Sequence, residues 1–264
     1  MATIQIDGGT LYYETRGKGP VLIITGSPMG AGGFSQLADA LASDFTVITH
    51  DPRGISQSTL DNVEQDSTPD LRAADLVALL DALGVEAADV FGSSGGAVTG
   101  LALVARHPDR VKTLIAHEPP LLELLPGAAD QRAATQDIVD TYRSHGLGAA
   151  FAKFMANAGF EPGDQPPPPS SNPEQDATDG ARFLGHELQG TTTYVPDIAA
   201  LNGRAIVVGL GAESAKLLTA DTSRALASQL GSETTEFPGD HGGWMSHTEQ
   251  FAAVVRRVLA GVSL

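Results

Sequence analysis

Short apolar runs alternate along the chain with stretches whose apolar positions recur every three or four residues. The runs at residues 21–24 (Val-Leu-Ile-Ile), 45–48, 88–91, 111–116 and 205–208 are continuous rather than alternating. Continuity of this kind fits strands buried on both faces, as in a parallel sheet. Residues 4–6 and 11–15 read as an opening hairpin that turns at Gly8-Gly9, and residues 233–237 as an edge strand. Residues 70–83 place Leu71, Ala74, Leu76, Leu79, Leu80 and Leu83 near one stripe, which Gly84 stops. Residues 97–106, 219–230 and 248–259 read as helices too. Strand–helix alternation predicts an α/β fold.

The rhythm breaks after Glu118. From residue 119 to about 196 the pattern is helical, with no buried strand. Within it, residues 161–180 are polar and rich in proline, and read as a loop rather than core. Sheet character returns at Ala205. The expected organisation is therefore one domain, with a core over 1–118 and 197–264. Residues 119–196 form a helical lid inserted over one end of the sheet. The apolar run at 121–125 reads as lid packing or a pocket wall.

Composition narrows the function. Sixteen Lys+Arg against 32 Asp+Glu leave a net charge of −16, which disfavours nucleic acid and anionic membrane as partners. The absence of cysteine excludes disulfides, thiolate metal sites and a thiol nucleophile. No run reaches the roughly 18 apolar residues of a membrane span, and the N-terminal residues lack a signal pattern, so a cytoplasmic protein is expected. No phosphate-binding Gly-x-x-x-x-Gly-Lys motif, dinucleotide fingerprint or metal-ligand spacing occurs, so no cofactor and no metal is implied. A small molecule is the expected partner, and a homodimer stays open.

Gly92-Ser93-Ser94-Gly95-Gly96 fits Gly-x-Ser-x-Gly, with an apolar strand before it and a helical run after it. That strand–turn–helix context is what a nucleophile elbow requires: small residues allow the tight turn that exposes the Ser94 hydroxyl. A serine hydroxyl needs a base to take its proton. Of seven histidines, His50, His107 and His145 lack a loop context, His186 lies in the lid where it could touch substrate, and His247 opens the last helix. His241 sits in Pro238-Gly-Asp-His-Gly-Gly-Trp244, between the last strand and the last helix, where a loop can carry an imidazole over the elbow.

The order of these elements resembles the α/β-hydrolase superfamily over nearly the whole chain. Asp51-Pro-Arg-Gly-Ile-Ser-Gln-Ser58 is similar to its Asp-x-Arg-Gly-x-Gly-x-Ser turn, with Ser56 in place of the second glycine. Thr25-Gly26-Ser27-Pro28 stands where that superfamily has a His-Gly turn. The resemblance implies an oxyanion hole from the backbone N–H groups of Ser27 and Gly95. It also implies an acid after the strand at 205–210, where Ser214 occupies the Asp position and Glu213 is one residue off. A second candidate acid is Glu118, directly after the strand at 111–116. The zearalenone lactonase group looks similar here, sharing a Ser-Ser-Gly elbow, a His-Glu-x-Pro segment at the same separation and a Pro-Gly-x-His loop. That similarity implies Glu118 as the acid.

The expected activity is that of a metal-free serine hydrolase on a carboxylic ester or lactone, with Ser94, His241 and Glu118 as catalytic residues and Glu213 as the alternative acid. A perhydrolase or haloperoxidase on the same residues is a second reading. A non-hydrolytic ligand sensor on this fold is a third.

Overall fold

The computed structural model describes residues 2–161 and 172–261. Nine strands occur among them: β1 (Ala2–Ile6), β2 (Gly9–Arg16), β3 (Val21–Thr25), β4 (Thr46–His50), β5 (Thr59–Leu60), β6 (Ala88–Ser93), β7 (Val111–His117), β8 (Ile206–Gly211) and β9 (Thr235–Phe237). They form one sheet in the order β1-β2-β4-β3-β6-β7-β8-β9, with the short β5 paired to β2. The β1–β2 hairpin and the β2–β4 pair are antiparallel; from β4 through β9 every pair is parallel. The continuous apolar runs are the parallel strands, as their two-sided burial requires.

Eleven α-helices occur among the described residues: α1 (Ser35–Leu41), α2 (Pro69–Ala82), α3 (Gly95–Arg106), α4 (Ala128–His145), α5 (Leu147–Ala158), α6 (Pro173–His186), α7 (Leu188–Thr192), α8 (Ile198–Leu201), α9 (Leu218–Gln229), α10 (Gly243–Ser246) and α11 (Thr248–Leu259). Alternate strand residues feed two cores. Ile23, Val90, Leu114 and Val208 meet α2, α3 and α9 on one face. Leu22, Ile24, Phe91 and Ile115 meet α1 and α11 on the other. No described helix is long and apolar enough to cross a membrane.

Two sequence expectations change. Part of the stretch expected as loop over 161–180 is helix: α6 begins at Pro173, where Asn172 accepts from the Gln175 N–H at 3.3 Å and Glu174 and Asp176 lie in the first turn. An Asn cap, a proline at the first position and acids near the helix N-terminus all favour a start there, despite the polar composition. Residues 162–171 of that expected loop lie outside the described residues. On α2, Ala74 is exposed, and Arg72 and Asp75 are buried beside Ala73, Leu76, Leu79 and Leu80. Arg53 forks Nε and Nη2 onto the two Asp75 oxygens at 2.7 and 2.6 Å, which lets a charged residue occupy the inner face.

Candidate active site

Four loops at the C-terminal ends of the parallel strands converge. β3 leads to Ser27, β6 to Ser94, β7 to Glu118, and the turn after β9 to His241. The β6-to-α3 turn is tight because glycines stand where no side chain fits. A Cβ on Gly92 would lie 2.5 Å from the Gly96 carbonyl oxygen, and one on Gly96 would lie 2.1 Å from that of Thr25. Ser94 takes the strained positions φ 55° and ψ −123°, and its N–H donates to the His117 carbonyl at 2.9 Å. A positive φ in a non-glycine residue costs roughly 1–3 kcal/mol and persists only where its surroundings fix it.

Glu118 repeats that strain with φ 50°, and its side chain is fully buried. Its Oε1 accepts from the Gly211 N–H at 2.8 Å. Its Oε2 accepts from the Thr219 hydroxyl at 2.8 Å and from His241 Nδ1 at 2.6 Å. Burial pushes this carboxyl up, but the bond and charge of His241, with His117 and Ser214 nearby, prevail and hold it at about 2. A permanent carboxylate on Nδ1 fixes the imidazole tautomer and leaves Nε2 free to accept a proton. The His241 side chain is 21% exposed, so one edge of the ring stays open.

The second candidate acid lies elsewhere. Glu213 is exposed on the loop after β8, its N–H bound to the Gly239 carbonyl at 2.9 Å, and the neighbouring Ser214 turns inward instead. The structure brings Glu118 to His241 and does not bring Glu213 there.

Ser94, His241, Ser27 and Gly95 line one cavity of about 280 Å³. Among the described residues the Ser94 hydroxyl makes no hydrogen bond, so hydroxyl and imidazole line the cavity together without one between them. Such bonds are commonly long without substrate. Gly95 opens α3, where an N–H has no partner within its own helix, and neither it nor the Ser27 N–H donates a bond among the described residues. Ser27 lies against Gly95, since a Cβ there would meet the Ser27 carbonyl oxygen at 2.8 Å. The two N–H groups belong to residues that touch across the loops and both line the cavity.

The cavity walls are largely apolar and come from α4 to α7, with residues from α9, α10 and the segment before α1. Phe34, Phe151, Phe154, Phe160, Phe183 and Trp244 contribute rings, and no Lys, Arg, Asp or Glu is among the described residues that line it. Leu122, from the apolar run after Glu118, is part of the wall.

A family model described as the alpha/beta hydrolase fold matches residues 19–159. The chain belongs to the α/β-hydrolase family. A Bacillus subtilis protein described as the uncharacterized hydrolase YraK is 34% identical to this hydrolase over 264 aligned positions, covering 95% of this chain and 92% of its own. A zearalenone hydrolase from Bionectria ochroleuca is 34% identical over 124 residues, 45% of this chain and 47% of its own. The structure of a thermophilic esterase from Thermogutta terrifontis superimposes with a TM-score of 0.78 at 19% identity, covering 100% of both chains, a likeness of fold alone.

Other histidines of this hydrolase have structural partners. His50 Nε2 bonds the Thr25 hydroxyl at 3.0 Å, so the threonine that replaces the superfamily's histidine is itself held by one. His186 turns to Asp66 at 3.0 Å and does not line the cavity. His247 Nδ1 meets the Ser246 hydroxyl at 2.9 Å. In the Asp-x-Arg-Gly turn, Asp51 accepts from the Ala31 and Gln57 N–H groups at 2.8 and 3.0 Å, a brace between loops rather than a reacting group. Sequence reasoning passed over Glu187, which lies between α6 and α7, is buried, and accepts from the Ser27 hydroxyl at 2.8 Å. A lone Glu in a polar helical stretch carries no signal of that contact.

Proposed function

We propose that this hydrolase cleaves a neutral carboxylic ester or lactone through an acyl-enzyme on Ser94. The observation that carries the reading is the 2.6 Å Glu118–His241 pair beside a cavity lined by Ser94 and two unpaired backbone N–H groups. In the first step His241 Nε2 takes the Ser94 proton as the hydroxyl oxygen attacks the carbonyl carbon. Glu118 holds the ring and stabilises the imidazolium that forms. The N–H groups of Ser27 and Gly95 receive the negative charge that develops on the carbonyl oxygen. His241 then protonates the leaving alkoxide, and in the second half it deprotonates the water that releases the acyl group.

The helices between β7 and β8 act in this reading as the lid. Their inner surface is apolar and uncharged among the described residues and selects a neutral substrate, since a buried carboxylate would find no lysine or arginine there to pair with. The net charge of −16 adds a repulsion against anionic substrates. The similarity to a zearalenone hydrolase, over 45% of this chain, supports a hydrolytic role.

The test is turnover of para-nitrophenyl butyrate and of an uncharged lactone by the wild-type chain and by Ser94→Ala. Loss of at least about a thousandfold in kcat is expected, because the reaction then has no nucleophile. Turnover by Ser94→Ala equal to that of the wild type would remove the assignment.

A further inference from the structure

Glu187 is a buried acid with no role in the steps above. Its Oε2 accepts from the Ser27 hydroxyl at 2.8 Å, and its Oε1 has no partner among the described residues. On its other side, the Ser27 Oγ lies 3.1 Å from where a Gly95 Cβ would stand. The hydroxyl is therefore wedged between the residue after the nucleophile and a carboxylate from the helices above.

The second N–H group is tied from below. The Arg72 Nε donates to the Thr99 hydroxyl at 2.9 Å, which in turn donates to the Gly95 carbonyl at 3.0 Å. The same guanidinium reaches the Ser67 carbonyl at 2.7 Å and the Thr191 hydroxyl on α7 at 2.8 Å. Burial holds the Glu187 carboxyl above the usual carboxylate range, and the charge of Arg72, the bond from Ser27 and the charge of Arg182 only partly offset that rise. Two buried hydrogen-bonded clusters thus meet at the oxyanion residues, Ser27 with Glu187 and Gly95 with Thr99 and Arg72, and the charges of Arg72 and Glu187 couple them.

We infer that Glu187 is a positioning residue that fixes the Ser27 N–H as an oxyanion donor through the Ser27 hydroxyl, tying the lid to the reacting centre. The inference rests on the Ser94 reading above. An oxyanion contact forms in the transition state, so a misplaced donor lowers kcat and leaves KM nearly unchanged.

The experiment measures kcat, KM and Tm with para-nitrophenyl butyrate for the wild type, Ser27→Ala, Glu187→Ala, Glu187→Gln and the double variant Ser27→Ala/Glu187→Ala. Ser27→Ala keeps the backbone N–H and removes only its tether. It and Glu187→Ala are each expected to lose about 10- to 100-fold in kcat, with KM within about threefold. The double variant loses no more than Ser27→Ala, because both changes cut one link. The Gln side chain can still accept from Ser27, so Glu187→Gln keeps kcat within about threefold. Its Tm falls all the same, since Arg72 loses a countercharge. That split between kcat and Tm separates positioning from mere support of the fold. Wild-type kcat in Ser27→Ala, or equal kcat losses in the Gln and Ala variants, would overturn the inference and leave the Ser94 reading standing. If Glu187→Ala does not fold, Ser27→Ala and Glu187→Gln decide. A wild type that hydrolyses no ester and whose Ser94 resists a fluorophosphonate takes both readings down together.

Discussion

His117 precedes Glu118 in the chain and sits behind His241, their rings stacked with centroids 6.4 Å apart. Phe237 and Phe251 pack edge-on at 5.4 and 5.3 Å, and neither ring nitrogen finds a partner among the described residues. Burial pushes this imidazole down to about 4, and burial does the same to His50. The unfolded chain takes up these protons at a pH of about 6.5, the folded chain near 4. Their contribution to stability is thus complete above the higher value and is lost as pH falls through the lower one. Tm should drop as pH is lowered from 7 to 4, and His117→Phe, which suits an aromatic nest, should flatten part of that drop. Parallel Tm curves for the two proteins would mean that His117 does not carry it. At this scale the elbow was legible because Gly-x-Ser-x-Gly states a backbone requirement in residue types. Glu118 became a candidate through its place after a strand, and the similarity to the zearalenone lactonase group is what set it above Glu213. Glu187 and Arg72 were not, because a charged residue in a helical stretch reads as a solvated face until its partner from another element is known.

The elements that hold the site do so by close backbone approach. α3 meets β3 at Gly96, where an added methyl group would stand 2.1 Å from the Thr25 carbonyl oxygen. Gly96→Ala must push α3 away from β3, which costs roughly 1–3 kcal/mol. In a chain of this length that is a fall in Tm of about 2–10 °C. The same displacement parts Ser94 from Ser27, so kcat should fall with Tm. Gly148→Ala, at a position on α5 with nothing within 4 Å of an added Cβ, is the control and should leave Tm unchanged or slightly higher. Equal Tm in both variants would contradict the close packing of α3 on β3. Strands were the most legible elements, since parallel pairing demands continuous apolar runs. α6 was obscured by its composition, and its start is set by Asn172 and Pro173 rather than by periodicity. Its Asp179 reaches across to the Ser56 N–H and hydroxyl at 2.8 and 2.6 Å, which holds a non-glycine residue at φ 50° where the superfamily has glycine.

For the whole molecule, strand order decides the chemistry. β7 lies between β6 and β8, so the end of β7 is as close to the elbow strand as any acid site in the sheet. The loop after β8, which offers Glu213, sends that side chain outward and fills the inner place with Ser214. The fold and its family were legible from the alternation of elements and the spacing of their motifs. What was not legible was the wall above the site: six aromatic rings gathered from three helices and two loops, at separations no periodicity links. The central claim is that the acid serving His241 stands after β7. It is tested most directly by kcat on para-nitrophenyl butyrate for Glu118→Gln and Glu213→Gln. The account predicts a loss on the order of 10³- to 10⁴-fold for Glu118→Gln, whose amide cannot stabilise the imidazolium, and a change within about twofold for Glu213→Gln. A large loss in Glu213→Gln, with Glu118→Gln near wild type, would contradict it.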